Sequence, residues 1–204
     1  HISENLSKNT TLIDITESLA CFGIFGPKSR DLLTEIFGEH FSKDNFRFGT
    51  AKEISFNNDK LIFQRLSFVG DLGWEIYIPK KISNKIFEKI YKVGKKYKLG
   101  YAGMHTLDIL RLEKKFLHWG HDITSENNPI EAGLSFAISL KKSEDFIGRN
   151  AIEKIINNPL KRRLELFSIK NNLRPGKPLM LHDEPLFFKE EIVGSTTSAN
   201  YSFF

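Results

Sequence analysis

Residues 74–78 alternate strictly, with Trp74, Ile76 and Ile78 on one side and Glu75 and Tyr77 on the other. That period of two predicts a half-buried strand. Phe63, Leu66 and Phe68 lead into it, and Gly70-Asp71-Leu72-Gly73 offers glycines that tolerate positive φ, so the stretch reads as a hairpin presenting one carboxylate. Upstream, Asn57-Asn58-Asp59 turns residues 50–56 back into 60–68, which with 74–78 makes a three-stranded antiparallel meander. Residues 10–16 read as a strand and 19–25 as a second apolar run. Helical spacing marks 29–37, stopped by Gly38, and 85–98, where Ile86, Phe87, Ile90, Tyr91 and Val93 share a face. It recurs over 105–115 through Leu107, Leu110 and Leu112, and in a short helix after Gly148 that ends at Asn157-Asn158-Pro159. Leu134, Phe136 and Ile138 alternate as a strand would. Beyond Arg162 the pattern changes to short strands at 163–169, 184–188 and 192–197, separated by proline and glycine turns. This order of elements predicts an α+β fold of the split-βαβ kind, with a domain boundary after residue 159 that separates 1–159 from 160–204.

Composition narrows the function classes. With 40% hydrophobic residues over 204 positions, the chain can bury a core of its own. No apolar run approaches the roughly 20 residues of a membrane helix, and the N-terminus has no basic and apolar leader, so a soluble intracellular protein with no membrane partner is expected. A single cysteine, Cys21, excludes an internal disulfide, and its setting in Leu19-Ala20-Cys21-Phe22 predicts a buried structural thiol. The net charge of +5 is concentrated in the lysine-rich segment 80–98, which reads as the solvated face of an amphipathic helix. It lacks the interleaved exposed aromatics and the motif of a nucleic-acid footprint, so no nucleic-acid partner is expected. His118, His121 and Asp122 have a spacing that could gather a metal, but Trp119-Gly120 between them favours a structural loop, and no metal is assigned. There is no GxGxxG fingerprint for a dinucleotide such as FAD and no phosphate-cradling loop.

Four stretches carry a resemblance. The Phe68–Pro79 turn and strand resemble the folate-site hairpin of the glycine-cleavage T-protein (aminomethyltransferase) family, most closely in the tetrahydrofolate region of sarcosine and dimethylglycine dehydrogenases. Leu110-Arg111-Leu112-Glu113, continuing to His118-Trp119-Gly120-His121-Asp122, resembles a second family segment. Pro129-Ile130-Glu131-Ala132-Gly133-Leu134 and Asp145-Phe146-Ile147-Gly148-Arg149 follow in the family's order and spacing, and Gly26-Pro27-Lys28-Ser29-Arg30 also matches.

The resemblance implies a folate-binding α+β region over 1–159 and the start of a C-terminal β-barrel over 160–204, in a chain read as lacking both ends of the family's length. It implies tetrahydrofolate as cofactor and transfer of an aminomethyl or methylene unit from a small amine-derived donor. Glu75 would accept the paired N–H donors of the pterin, Phe136 would form an aromatic wall, and Arg163 would meet the glutamate tail. Phe68 stands where the dehydrogenase relatives have tyrosine, keeping the ring without the hydroxyl. Leu107 replaces an arginine of the stand-alone T-proteins, as in the dehydrogenase branch. The acidic residue assigned to the chemistry falls upstream of His1, so no catalytic residue is named and this stretch alone is expected to be inactive. An FAD-dependent amine-oxidising domain or subunit is the implied partner, and a bacterial cytoplasm or mitochondrial matrix the implied setting. The alternative is a folate-binding or regulatory module that performs no transfer.

Overall fold

The structure, a computed structural model, describes residues 2–169 and 180–202. It comprises two compact units, His1–Leu107 and Asp108–Phe204.

The first unit is built on four antiparallel strands: β1 (Leu19–Phe25), β2 (Ala51–Phe56), β3 (Asp59–Gln64) and β4 (Gly73–Pro79), in the spatial order β1-β4-β3-β2. The predicted meander is present, and β1 is its fourth member, pairing with β4 along its whole length from Leu19 opposite Pro79 to Phe25 opposite Gly73. The alternation of β4 has the predicted consequence: Trp74, Ile76 and Ile78 are each 0% exposed. They pack with Ile24, Leu61 and Phe63 against helices α1 (Ser29–Phe37) and α2 (Ser83–Gly94), whose Leu32, Leu33, Ile36, Ile86 and Ile90 face the sheet. Both helices lie over one side of the sheet. Burying an apolar side chain of this size contributes about 1.5–3 kcal/mol, so this face holds the unit together. Phe41 and Phe46 meet the Trp74 ring edge-on, and the Arg30 and Arg65 guanidinium groups stand over it at 5.1 and 5.7 Å.

Several local expectations are corrected. Residues 10–16 form no strand: their backbone joins no ladder, the Ile15 carbonyl accepts the Ser18 N–H, and the Asp14 carboxylate accepts the Thr16 N–H at 2.9 Å, leading into a 3-10 turn at Thr16–Ser18. Strand β3 stops at Gln64 rather than running to Phe68: the Arg65 N–H still reaches the Thr50 carbonyl, but the Thr50 N–H turns to the Arg47 carbonyl and the Arg65 carbonyl accepts from Gly49, so the ladder breaks and residues 65–72 form a longer link than a tight hairpin. Gly70 does take a positive φ, 75°, but Gly73 does not. Cys21 is exposed, not buried: β1 turns Phe22 and Ile24 toward the helices, and the alternate positions Cys21 and Gly23 face outward. Helix α2 ends at Gly94 and continues as a 3-10 turn, Lys95–Tyr97, closed by Lys98 at φ 59°.

Helix α3 (Met104–Glu113) matches the periodicity read over 105–115. In the second unit, Arg111 and Asp122 form a buried ion pair, each side chain no more than 3% exposed. Helix α4 (Arg149–Ile156) starts after Gly148, φ 92°, as expected. The alternating Leu134, Phe136 and Ile138 do not become a strand: Ser135–Ala137 is a 3-10 turn following Gly133 at φ 72°. Residues 163–169 are likewise irregular, while β5 (Pro185–Phe188) and β6 (Glu191–Ser195) form a hairpin close to the expected 184–188 and 192–197. The proline and glycine turn at Pro175-Gly176 lies outside the described residues.

Candidate functional site

The side of the first unit's sheet away from its helices carries the polar members of the alternation. Glu75 sits in an interior strand, opposite Gly23 on β1 and opposite Gln64 on β3. It is half-buried, as is Tyr77 two residues on. The Tyr77 hydroxyl donates to Glu75 Oε2 at 3.0 Å. Burial, the hydrogen bond to Glu75 and the charge of that carboxylate push the Tyr77 phenol up to about 12, so it remains a proton donor at neutral pH. Opposite Tyr77 on β1 lies Cys21, exposed as a residue but with its thiol partly desolvated by its neighbours, which together with the negative charge of Glu75 pushes that thiol above its ordinary range.

This arrangement has a specific chemical capacity. An ionised carboxylate offers about four lone-pair sites on two oxygens, and one of them is taken by Tyr77. Glu75 Oε1 and the remaining site on Oε2 can still accept two parallel N–H groups from an amidine-like edge. Because the carboxylate is anchored by Tyr77 and sits on a strand held from both sides, little rotamer freedom is left to lose on binding. Tyr77 was legible only as a member of the polar face; the i, i+2 spacing announces that the two side chains are neighbours, but not that one donates to the other.

The other expected site residues fall in two places. Phe68, in the first unit with Glu75, is half-buried in the 65–72 link. Phe136 and Arg163 belong to the second unit. The Phe136 ring is 84% exposed on its 3-10 turn, which removes the core-packing explanation for an aromatic residue there. Arg163 is largely exposed, with its Nε 3.0 Å from Glu165, which also pairs with Lys115. An exposed pair of this sort leaves the guanidinium available to a stronger anion.

The His118-to-Asp122 loop has a structural explanation in the second unit. The Asp122 carboxylate accepts from the Arg111 guanidinium, from the His118 backbone N–H at 2.8 Å, and from the Thr197 and Ser198 hydroxyls at 2.8 and 2.6 Å. Burial opposes its ionised form, but these donors and the Arg111 charge together hold the carboxyl below the ordinary carboxylate range. Arg111 additionally donates to the Phe116 carbonyl and to Ser198 and pairs with Asp108. Among the described residues no group of three or more histidine, cysteine or acidic side chains is arranged to hold a metal ion.

Fold and sequence comparisons agree on the class. The fold is shared with the crystal structure of glycine cleavage system aminomethyltransferase T from Bartonella henselae, at a TM-score of 0.58 and 23% identity, over 69% of this chain and 37% of that one. The chain belongs to the GCVT N-terminal domain family, whose model matches residues 1–142. It is 34% identical over 191 residues to mitochondrial dimethylglycine dehydrogenase of Mus musculus, covering 93% of this chain and 21% of that protein. To mitochondrial sarcosine dehydrogenase of Homo sapiens it is 35% identical over 192 residues, covering 94% of this chain and 20% of that protein. The chain thus spans about a fifth of the length of these relatives. Among the described residues no helix is long and apolar enough to cross a membrane.

Proposed function

We propose that this chain is the tetrahydrofolate-binding part of a one-carbon transferase of the aminomethyltransferase kind, acting on a methylene or aminomethyl unit derived from a small amine. The observation that carries this reading is the Glu75 carboxylate, held half-buried on an open sheet face by a Tyr77 hydroxyl and with acceptor sites to spare. Tetrahydrofolate carries a matching edge, a 2-amino group beside a ring N–H. In this reading Glu75 orients the pterin. Phe68 and Phe136 supply aromatic contacts and Arg163 a cation for the glutamate tail, each on the strength of its place in the family pattern. Transfer then depends on positioning, because holding the nucleophilic folate nitrogen against an electrophilic carbon makes a bimolecular encounter effectively unimolecular.

The donor is proposed to come from an FAD-dependent amine oxidation carried by another domain or subunit, as the dehydrogenase names of the relatives suggest. A bacterial cytoplasm or mitochondrial matrix is the compartment this implies, and the folate module is taken to end at Asn157-Asn158-Pro159. No residue of the 204 is assigned the proton-transfer role.

The test is anaerobic calorimetric titration of the chain with tetrahydrofolate beside the Glu75→Ala variant. Saturable binding that weakens by about 1–3 kcal/mol in the variant, the scale of a hydrogen bond to a charged group, is expected. Equal binding by a folded Glu75→Ala protein would remove the basis of the reading.

A further inference from the structure

Phe25 occupies ground on the open sheet face that only two glycines make available. In the β1–β4 register Phe25 lies opposite Gly73, and Gly23, two residues before it, lies opposite Glu75. A Cβ built on Gly23 would stand 2.5 Å from Cε2 and 2.8 Å from Cζ of the Phe25 ring. One built on Gly73 would run into Cδ1 of the same ring and would come within 2.7 Å of the Ile24 carbonyl oxygen. One edge of the ring therefore rests over Gly73 and the opposite edge over Gly23, so the ring lies down on the backbones of both strands. Glycine inside a strand often marks close approach of another group, and here that group is an aromatic side chain.

The position relative to Glu75 follows from the register. Directly opposed residues on one sheet face have Cβ positions about 4.5–5.5 Å apart. Ring atoms standing on the Cβ site of Gly23 are therefore within a side chain's width of the Glu75 carboxylate, on the same face of the sheet. The ring is only half-buried, while Trp74 and Ile76 on the opposite face are fully buried, so Phe25 spends its apolar surface on the side where the carboxylate is. A carboxylate that holds the donor edge of a flat heterocycle leaves the faces of that heterocycle to be covered.

We infer that Phe25 is the stacking platform for the ring whose edge Glu75 holds, a contact residue set by the glycine pair Gly23 and Gly73. This rests on the folate reading above: the ligand class is a fused nitrogen heterocycle with adjacent amino and ring N–H donors. Phe25 selects for the flat pyrimidine half of that ring system and is indifferent to the tail.

The experiment is anaerobic titration of the full chain with tetrahydrofolate and, separately, with a tetrahydropterin lacking the benzoylglutamate tail. The variants are Phe25→Ala, Phe25→Leu, Gly23→Ala and Glu75→Ala, with thermal unfolding confirming that each is folded. Phe25→Ala and Phe25→Leu are expected to weaken both ligands by about three- to tenfold, the size of an aromatic pair contact. Gly23→Ala keeps the ring but pushes its far edge off the strand, and is expected to weaken both ligands by a similar factor. That arm also covers the case in which the Phe25 variants fail to fold. If Glu75→Ala weakens binding while Phe25→Leu and Gly23→Ala leave both ligands unchanged, the platform is overturned and the folate reading stands. Equal affinity in Glu75→Ala would overturn the folate reading and the platform with it. Loss confined to tetrahydrofolate, with the tailless pterin unaffected, would place Phe25 at the tail and overturn the assignment.

Discussion

Removing the Asp122 carboxylate should be among the most damaging single changes in the second unit. Asp122→Ala strips the buried partner from the Arg111 guanidinium, which is 1% exposed and keeps only the more exposed Asp108 as an ionic partner, and leaves the His118 N–H and the Thr197 and Ser198 hydroxyls without their shared acceptor. Breaking a buried pair on one side costs about 3–5 kcal/mol, because the remaining charge cannot recover its hydration. Set against the roughly 5–15 kcal/mol that holds a typical domain, this is enough to unfold much of the unit locally. The assay is urea unfolding with amide exchange followed separately over residues 19–94 and 108–169. Protection should collapse in the second stretch. A loss below about 1 kcal/mol, the scale of a solvated surface pair, would refute the reasoning. The acid limb provides a second check. The folded-state pKa of Asp122 lies below its unfolded value, so its contribution is complete above about pH 4 and is lost as the pH falls through the folded-state value. Asp122→Asn should be less stable at neutral pH and should lose less on acidification than the parent.

Two further outcomes follow from the first unit. Gly73→Ala places a methyl group 2.7 Å from the Ile24 carbonyl oxygen, a backbone atom that cannot step aside, and should lower stability by about 1–3 kcal/mol in thermal or urea unfolding; an unchanged midpoint would contradict the close strand approach. In a spectrophotometric titration, one of the five tyrosines should ionise near 12, and Glu75→Gln should lower that value only part of the way to the ordinary one near ~10, since burial is its largest cause; an unmoved titration would mean that Tyr77 does not sense Glu75.

Much of the sheet was legible because its pattern is local. The period of two in β4 and the Asn57-Asn58-Asp59 turn needed no knowledge of distant residues, and both survive into the structure. The failures share a physical cause. Residues 10–16 and the alternation at Leu134, Phe136 and Ile138 have strand-like patterns, but a strand exists only where another backbone completes its hydrogen bonds, and a sequence pattern cannot say whether one arrives. Cys21 was misplaced by its neighbours: Leu19, Ala20 and Phe22 suggested burial, while strand alternation decided for exposure. The partners of Asp122, the Thr197 and Ser198 hydroxyls, were not legible, since they come from far along the chain.

The same distinction explains why Glu75 could be singled out from the sequence and its surroundings could not. A glutamate on the polar side of a strand is visible in five residues. What would make it a receptor in the proposed reading is the pairing of β4 with β1, which joins residues some fifty positions apart and so sets Gly23, with its missing Cβ, opposite the carboxylate. Read along the chain, Gly23 is a weak point in an apolar strand and Phe25 is one more hydrophobic residue. Read across the register, the glycine is the space and the phenylalanine fills it from the side. A one-residue slip of β1 against β4 would leave the composition of both strands untouched, yet it would turn the wrong face of β1 toward Glu75. The function proposed for this face therefore depends on register as much as on the carboxylate, and Gly23→Ala, which keeps both side chains in the sequence but displaces the Phe25 ring, tests the space that this register sets beside Glu75.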